Sequence, residues 1–414
     1  MNIYDEIIKK NKNVGIIGLG YVGLPLFLEL SKKVNTIGFD IDKDKIIQLK
    51  KTYTQKNIVG KIEELINCNC FIITVPTPIK KDNKPDLTYI IKATKMVSSI
   101  LEKNSIVIYE STVYPGVTET VCKGILEESK LIYNKDFYVG YSPERINPGD
   151  VKHNLINITK IISASCQDAL EIVEKIYNLV VNRVYRISSI KTAEAIKMLE
   201  NTQRDLNIAL MNEFSNICEC DGINIYEVIE GASTKWNFYK CFPGLVGGHC
   251  IGVDPYYYIE YAKKYNRSSK LIDTSRKINE DIKNIILNKI YESLKGVRKK
   301  RNIIVVGVSY KPNSPDIRNS KILEIIGSLD KEKYNIFFLD EIIKDKKLNC
   351  LSKNELVKIN NKVDLIIFAS LHNIYKNFTY EFIKALFKKE VRIIEIGNYY
   401  KEDFLEKADF YWNL

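Results

Sequence analysis

The sequence predicts an α/β chain: two doubly wound, parallel-sheet units joined by a central helical segment. Three observations carry that prediction. Apolar runs of strand type alternate with helix-patterned stretches towards both ends of the chain, as parallel-sheet units require. Between them, residues 191–220 run on without an internal proline or glycine. At 414 residues, 45% of them hydrophobic, the chain is long enough for two or three domains with real cores. The expected divisions are 1–186, 187–297 and 298–414.

The first unit opens with a short apolar run, 14–17. It leads into Gly18-Leu19-Gly20-Tyr21-Val22-Gly23, then a helix-patterned stretch, 24–33, and a second apolar run, 34–39, that ends at Asp40. Strand, glycine loop, helix, strand and acid in this order form a Rossmann-like dinucleotide site. Glycines allow a tight turn and close approach to a pyrophosphate, and the helix N-terminus supplies N–H donors. Gly18, Gly20, Tyr21, Val22 and Gly23 are therefore candidate cofactor contacts. Asp40 would accept hydrogen bonds from ribose hydroxyls and repel a 2′-phosphate, which favours NAD over NADP. Lys43 and Lys45 stand close enough to weaken that preference, and Lys45 joins the cofactor candidates.

Three more apolar runs end in small polar groups. Residues 70–75 reach Pro76-Thr77-Pro78, 105–110 reach Ser111-Thr112-Val113, and 137–141 reach Ser142-Pro143-Glu144-Arg145-Ile146-Asn147-Pro148-Gly149. In open parallel sheets, ligands bind beyond the carboxyl ends of the strands. Thr77 and Thr112 thus become candidates for the cofactor cleft.

The central segment changes pattern. Lys197, Asn201, Arg204 and Asn212 fall on the expected helix 191–220, with Lys197 and Asn201 on one face. Ala193, Ile196, Leu199, Ile208 and Leu210 supply its expected buried stripe, and Asp221-Gly222 closes it. A shorter helix leads through Thr234-Lys235-Trp236-Asn237-Phe238 to a loop over 243–258. Its core reads Gly244-Leu245-Val246-Gly247-Gly248-His249-Cys250-Ile251-Gly252-Val253-Asp254. A thiol among glycines with a carboxylate close behind has the look of a nucleophile with a polar neighbour. Helix returns over 276–294.

A basic linker, 298–301, precedes the second α/β unit. Its strands are expected at 302–306, 335–339, 364–369 and 392–396. The first leads into Gly307-Val308-Ser309-Tyr310-Lys311-Pro312, which lacks the glycine fingerprint, so no second dinucleotide site is expected. Residues 316–320 are expected to open a helix, a suitable start for anion binding.

Composition excludes several classes. The net charge of +11 comes from dispersed lysines, with no arginine-rich arm and no basic block interleaved with aromatics, so nucleic acid is not an expected partner. A basic surface does suit an anionic small substrate. The nine cysteines lack zinc-ribbon spacing and there are only three histidines, so no metal is expected. No apolar run approaches the roughly 18 residues of a membrane span. Residues 1–13 are charged and lack the apolar core of a signal peptide, so a cytoplasmic protein with reduced thiols is expected.

Taken together, these motifs resemble the UDP-glucose/GDP-mannose dehydrogenase family, the nucleotide-sugar 6-dehydrogenases. The matching stretches are 18–23, 76–78, 111–113, 141–149, Ala193-Glu194-Ala195-Ile196-Lys197-Met198-Leu199-Glu200-Asn201, the cysteine loop and 311–320. Within the family, the wording of the cysteine loop and of 234–238 is similar to the branch acting on UDP-N-acetylhexosamines (UDP-GlcNAc or UDP-GalNAc). Tyr258, where leucine is expected, and Glu395, where aspartate is usual, depart from the pattern.

The resemblance implies oxidation of a sugar C6 alcohol to a carboxylate for surface polysaccharide synthesis. Two hydrides leave, so two NAD+ are reduced per sugar. Cys250 would capture the aldehyde as a thiohemiacetal, and a thioester would follow and be hydrolysed. Lys197 would stabilise developing negative charge, with Asn201 holding the reacting oxygen or a water. Asp254 would position water, and Glu144 would act as base, most naturally in hydrolysis. Arg145, Phe238, Gly244 and Gly247 join Glu144, Lys197 and Asn201 as candidate substrate contacts, and Lys311 and Arg318 would meet the uridine diphosphate end. Family members are commonly dimers, which makes the central helices the expected homodimer interface. The alternatives are a UDP-glucose 6-dehydrogenase and, more distantly, a two-electron 3-hydroxy-acid-type dehydrogenase, which would need neither Cys250 nor the last α/β unit. His249 beside Cys250 invites a dyad, but adjacent side chains seldom converge on one point. His372 follows a strand end and suits either a structural role or a place near the uridine.

Overall fold

A computed structural model describes residues 2–146, 154–296, 300–343, 345, 347–348, 350–359, 362–400, 404 and 407–414. The expected turn residues 147–149, His153 and linker residues 298–299 lie outside them. The chain divides into two compact units, Met1–Glu200 with Tyr256–Ser268, and Asn201–Pro255 with Ser269–Leu414. Residues of the central segment are found in both.

The first unit is built on β1 (Asn13–Ile17), β2 (Thr36–Phe39), β3 (Ile58–Val59), β4 (Cys68–Ile73), β5 (Ser105–Tyr109), β6 (Phe137–Tyr141), β7 (Thr159–Ala164) and β8 (Arg183–Arg186). They form one sheet in the order β3-β2-β1-β4-β5-β6-β7-β8. All pairings are parallel except β6 with β7, where Gly140 faces Ala164. The inner strands are apolar throughout because helices cover both faces; all six residues of β4 are buried. Alternation then sorts the side chains: Cys70 and Ile72 join one core with Ile16, Ile108 and Ile162, while Phe71 and Ile73 join the other with Phe39, Val107 and Tyr109. Strand order reverses between β1 and β4, so the loops after these strands flank a switch point.

The second unit carries β9 (Arg301–Val306), β10 (Tyr334–Leu339), β11 (Leu365–Phe368), β12 (Arg392–Glu395) and β13 (Phe410–Asn413), all parallel, in the order β10-β9-β11-β12-β13. Helix Lys270–Ser293 covers one face through Ile282, Ile286 and Ile290. An aromatic cluster including Tyr375, Phe378 and Phe404 covers the other.

Three expectations need correction. The helix expected at 316–320 is Lys321–Gly327, because Ser320 is its N-cap and Asp316 is engaged in a turn with Arg318. The cysteine loop expected to reach 258 ends earlier: helix Asp254–Lys263 starts at Asp254, with Pro255 in its first turn where a missing N–H costs little. The long helix, Ile190–Cys220, is present. Its stripe is not the expected one, for Ala193 is buried while Leu199 is 69% and Leu210 is 44% exposed. Polar groups, Glu194, Asp205 and Asn212 among them, are buried alongside the apolar Met198, Ala209 and Met211.

Candidate functional site

The first unit holds the cofactor candidates at the switch point. Gly18 has φ +94°, and a Cβ on Gly23 would lie 1.9 Å from the Gly18 carbonyl oxygen. Gly23 therefore lets helix Gly23–Leu30 pack onto the turn, while a Cβ on Gly20 would meet nothing within 4 Å, leaving the backbone open to a ligand. Tyr21 is exposed and Val22 half-buried beside it. Asp40 ends β2 and is buried; its Oδ2 accepts from the Leu19 amide at 2.9 Å and from Lys45 Nζ at 2.6 Å, and its Oδ1 from the Asp42 amide at 3.0 Å. Burial pushes the Asp40 pKa upward, but Lys45 and the two amides outweigh it and hold the group ionised, below its usual value. An open glycine turn and a charged acid after the second strand fit a dinucleotide with a free ribose diol, so the residues present suit NAD.

Thr77 and Thr112 follow β4 and β5. The Thr77 carbonyl accepts from the Tyr257 hydroxyl at 3.0 Å, and Ser111 Oγ donates to the Val75 carbonyl at 2.6 Å, so the two loops are tied down. Glu194, at the start of the long helix, accepts from the Gly116 amide at 2.5 Å and the Thr118 amide at 3.0 Å. Glu144 follows β6. Its Oε1 accepts from the Arg145 amide at 2.7 Å and from the Ile146 amide. Lys197, 8% exposed, donates to the Glu144 carbonyl oxygen at 2.7 Å, so these two candidates are brought together. Arg145 Nη2 pairs with Glu200 Oε1 at 2.8 Å, and its Nη1 donates to the Thr159 carbonyl.

The second unit holds the cysteine. Cys250 is exposed, and its carbonyl accepts from the amides of Val253 at 3.1 Å and Asp254 at 2.9 Å. That turn feeds directly into helix Asp254–Lys263. Asp254 is 2% exposed, and Asn201 Nδ2 donates to its Oδ2 at 2.5 Å. The loop is fixed on both sides. Asn212 Nδ2 donates to the Gly244 carbonyl at 3.1 Å and its Oδ1 accepts from the Gly244 amide at 2.8 Å. Asn212 is in turn held by Asn279, which also binds Asp205, the partner of Arg276. At the other end, Gly248 has φ +80° and a Cβ there would stand 2.7 Å from the Tyr310 ring; Asn319 Nδ2 donates to the Gly248 carbonyl at 3.0 Å. A Cβ on Gly247 would be 2.7 Å from the Asn319 carbonyl oxygen. The cysteine loop is thus pressed onto the segment after β9 that carries Lys311 and Arg318. Lys311 Nζ lies 5.6 Å from the Tyr310 ring centroid, and Arg318 forms a two-point pair with Asp316 at 2.8–2.9 Å. Phe238 is half-buried against Met211, Tyr226 and Ile229.

His249 Nδ1 stands 3.5 Å from Asn319 Nδ2. Burial and the nearby Arg318 keep the imidazole below its usual pKa. His372 is buried, pairs with Asp340 at 3.0 Å and accepts the Asn313 amide at 2.7 Å, which makes it a brace within the second sheet. Sequence reasoning did not single out Tyr257, Tyr310, Asn319 or Lys160. A lysine at the head of the apolar run 161–164 was the available signal for the last of these.

Among the described residues, no helix is long and apolar enough to cross a membrane, and no cluster of His, Cys, Asp or Glu could hold a metal. Three domains of one family match the chain: the UDP-glucose/GDP-mannose dehydrogenase NAD binding domain over 53–181, its central domain over 191–281 and its UDP binding domain over 304–402. Protein CapL of Staphylococcus aureus is 41% identical over 98% of this chain and 100% of its own length. A UDP-N-acetyl-D-glucosamine 6-dehydrogenase of Pseudomonas aeruginosa is 38% identical over 95% and 98%. A UDP-D-ManNAc dehydrogenase from Pyrococcus horikoshii has a solved structure that matches with TM-score 0.86 at 30% identity, covering 97% of this chain and 98% of that one. With likeness of this extent, the chain belongs to the UDP-glucose/GDP-mannose dehydrogenase family and is an NAD-dependent dehydrogenase of nucleotide sugars.

Proposed function

We propose that the protein oxidises the C6 hydroxyl of a UDP-N-acetylhexosamine to the carboxylate, in the cytoplasm, for a surface polysaccharide. The observation that carries this reading is the exposed Cys250, on a loop fixed at both ends and closed by an Asp254 that Asn201 holds. The Gly18–Gly23 turn and Asp40 would hold NAD+, and two NAD+ bound in succession would each accept one hydride. Asp254 accepts, through the water it holds, the proton that the C6 hydroxyl loses, and Lys197 stabilises the alkoxide. Cys250 Sγ then bonds to the aldehyde carbon, so that the bound thiohemiacetal can give up a second hydride and become a thioester. Asp254 and Asn201 hold the water. In hydrolysis the water oxygen bonds to the acyl carbon, Glu144 takes its proton, and the C–S bond breaks to return the Cys250 thiolate. Lys311 and Arg318 suit the uridine diphosphate.

The branch reading is supported by relatives whose names specify N-acetylated sugars, UDP-N-acetyl-D-glucosamine among them. The test is the yield of NADH per molecule of limiting UDP-GlcNAc, UDP-GalNAc or UDP-glucose. Two NADH with an N-acetyl sugar is the expected result. Two with UDP-glucose alone would keep the chemistry and overturn the branch, and one NADH would overturn the role of Cys250. We also infer a homodimer through the helix Ile190–Cys220, whose exposed apolar residues are considered in the Discussion.

A further inference from the structure

Behind Glu144 lies a charged cluster that the mechanism above does not use. Lys160, in β7, has no exposed surface. Its Nζ donates to Glu110 Oε2 at 2.8 Å and to Glu144 Oε2 at 3.3 Å. Glu110, just past β5, is 2% exposed, and the Tyr177 hydroxyl donates to its Oε1 at 2.5 Å. Lys160 Nζ also stands 5.3 Å from the Tyr177 ring centroid. The carboxylates therefore sit just past the carboxyl ends of neighbouring strands β5 and β6, where parallel sheets bind ligands.

Stability does not account for such a cluster. Removing charges from water is expensive, and apolar replacements for a buried pair are often neutral or better. The cluster also has two carboxylates for one ammonium, while the second cation nearby, Lys197, reaches only the main-chain oxygen of Glu144.

We propose that Lys160 is a positioning residue for the base Glu144, tying its carboxylate into a buried hydrogen-bonded chain with Glu110 and Tyr177. The proposal rests on the reading of Glu144 as base. Among the described residues, the groups facing Glu144 are Lys160 from β7, Glu110 from the end of β5, Lys197 from the long helix and the Arg145 and Ile146 amides, with Tyr177 behind Glu110; the Arg145 side chain is turned to Glu200. Burial raises both acids. At Glu110 burial prevails and holds its pKa above the usual range. At Glu144, Lys160, the Ile146 amide, Glu110 and Lys197 outweigh burial and hold it below. Of the two acids, Glu144 is thus the one held ionised, ready to accept the proton of a water.

The test is the pH profile of kcat for NADH formation in the wild type, Glu144→Gln, Lys160→Met and Lys160→Met/Glu110→Gln. The double variant removes the carboxylate that Lys160→Met would leave without its cation, so it is read if the single variant fails to fold. Loss of the cation should move the acid limb up by about one pH unit or more, so that turnover falls about tenfold on the acid side of the wild-type limb and is little changed at neutral pH and above. A purely structural role would lower kcat equally at all pH values, and that result, an unmoved limb, or failure of both Lys160 variants to fold overturns the proposal. Glu144→Gln separates the two readings. If it keeps the wild-type acid limb, Glu144 is not the base and both ideas fall. If it abolishes the limb while the folded Lys160 variants leave it in place, only the role of Lys160 falls.

Discussion

Cys250 is exposed, whereas Lys197, Asp254 and Glu144, the other side chains to which we assign proton transfer or charge, are buried and held by partners. A small, soft nucleophile needs access to its carbon, while an ammonium or carboxylate gains strength where water is scarce. Asp254 and Lys197 are both under 10% exposed, each with a partner that fixes its direction. Replacing the thiol should therefore separate binding from chemistry. Cys250→Ser is expected to bind the UDP-sugar as the wild type does, by calorimetry, yet to form no carboxylate, since an oxygen leaving group makes a poor thioester substitute. Normal acid production by this variant would remove Cys250 from the mechanism.

The helix Ile190–Cys220 departs from the usual amphipathic pattern, burying charged groups and leaving some apolar ones to water. Glu194, Lys197, Asp205 and Asn212 are buried, while Leu210, Phe214 and Ile217 are 44%, 52% and 66% exposed. These three recur at i, i+4 and i+7, so they lie along one face. An apolar stripe left to water on a long helix is the mark of an association surface. Phe214→Glu/Ile217→Glu should convert a dimer to a monomer in light scattering, with each monomer still folded by circular dichroism. A wild type that already runs as a monomer would refute the interface. Periodicity alone could not assign this face, because an inward apolar stripe and a stripe for a partner look the same in sequence. Element edges showed a similar limit. The strands at 159–164 and 183–186 escaped notice because Lys160, Arg183 and Arg186 break the apolar runs that reveal buried strands.

Each unit contains a buried acid that titrates with folding. Burial pushes Glu194 in the first and Glu395 in the second from the usual 4.5 up to about 7. Such a group binds its proton more tightly when folded. Its stabilising contribution is complete below about pH 4.5 and is lost as pH rises through 7. Glu395, which accepts the Tyr399 and Tyr400 amides and the Tyr411 hydroxyl, can be tested by Glu395→Gln. The variant's melting temperature should gain on the wild type between about pH 5 and pH 8; a constant difference would mean that the acid does not titrate in that range. Most of the architecture was legible from the chain itself. Glycine spacing, strand-type apolar runs and the long uninterrupted helix are local properties, so the α/β class, the dinucleotide turn with Asp40 and the glycine-rich thiol loop could be read directly. Only the tertiary structure decided which partners the site residues have. Lys160 meets Glu110 and Glu144, and Asn319 meets Gly248, across separations of 16 to 71 residues. Those pairings arise from sheet order and loop packing, and no local pattern encodes them because the partners come from different strands and loops.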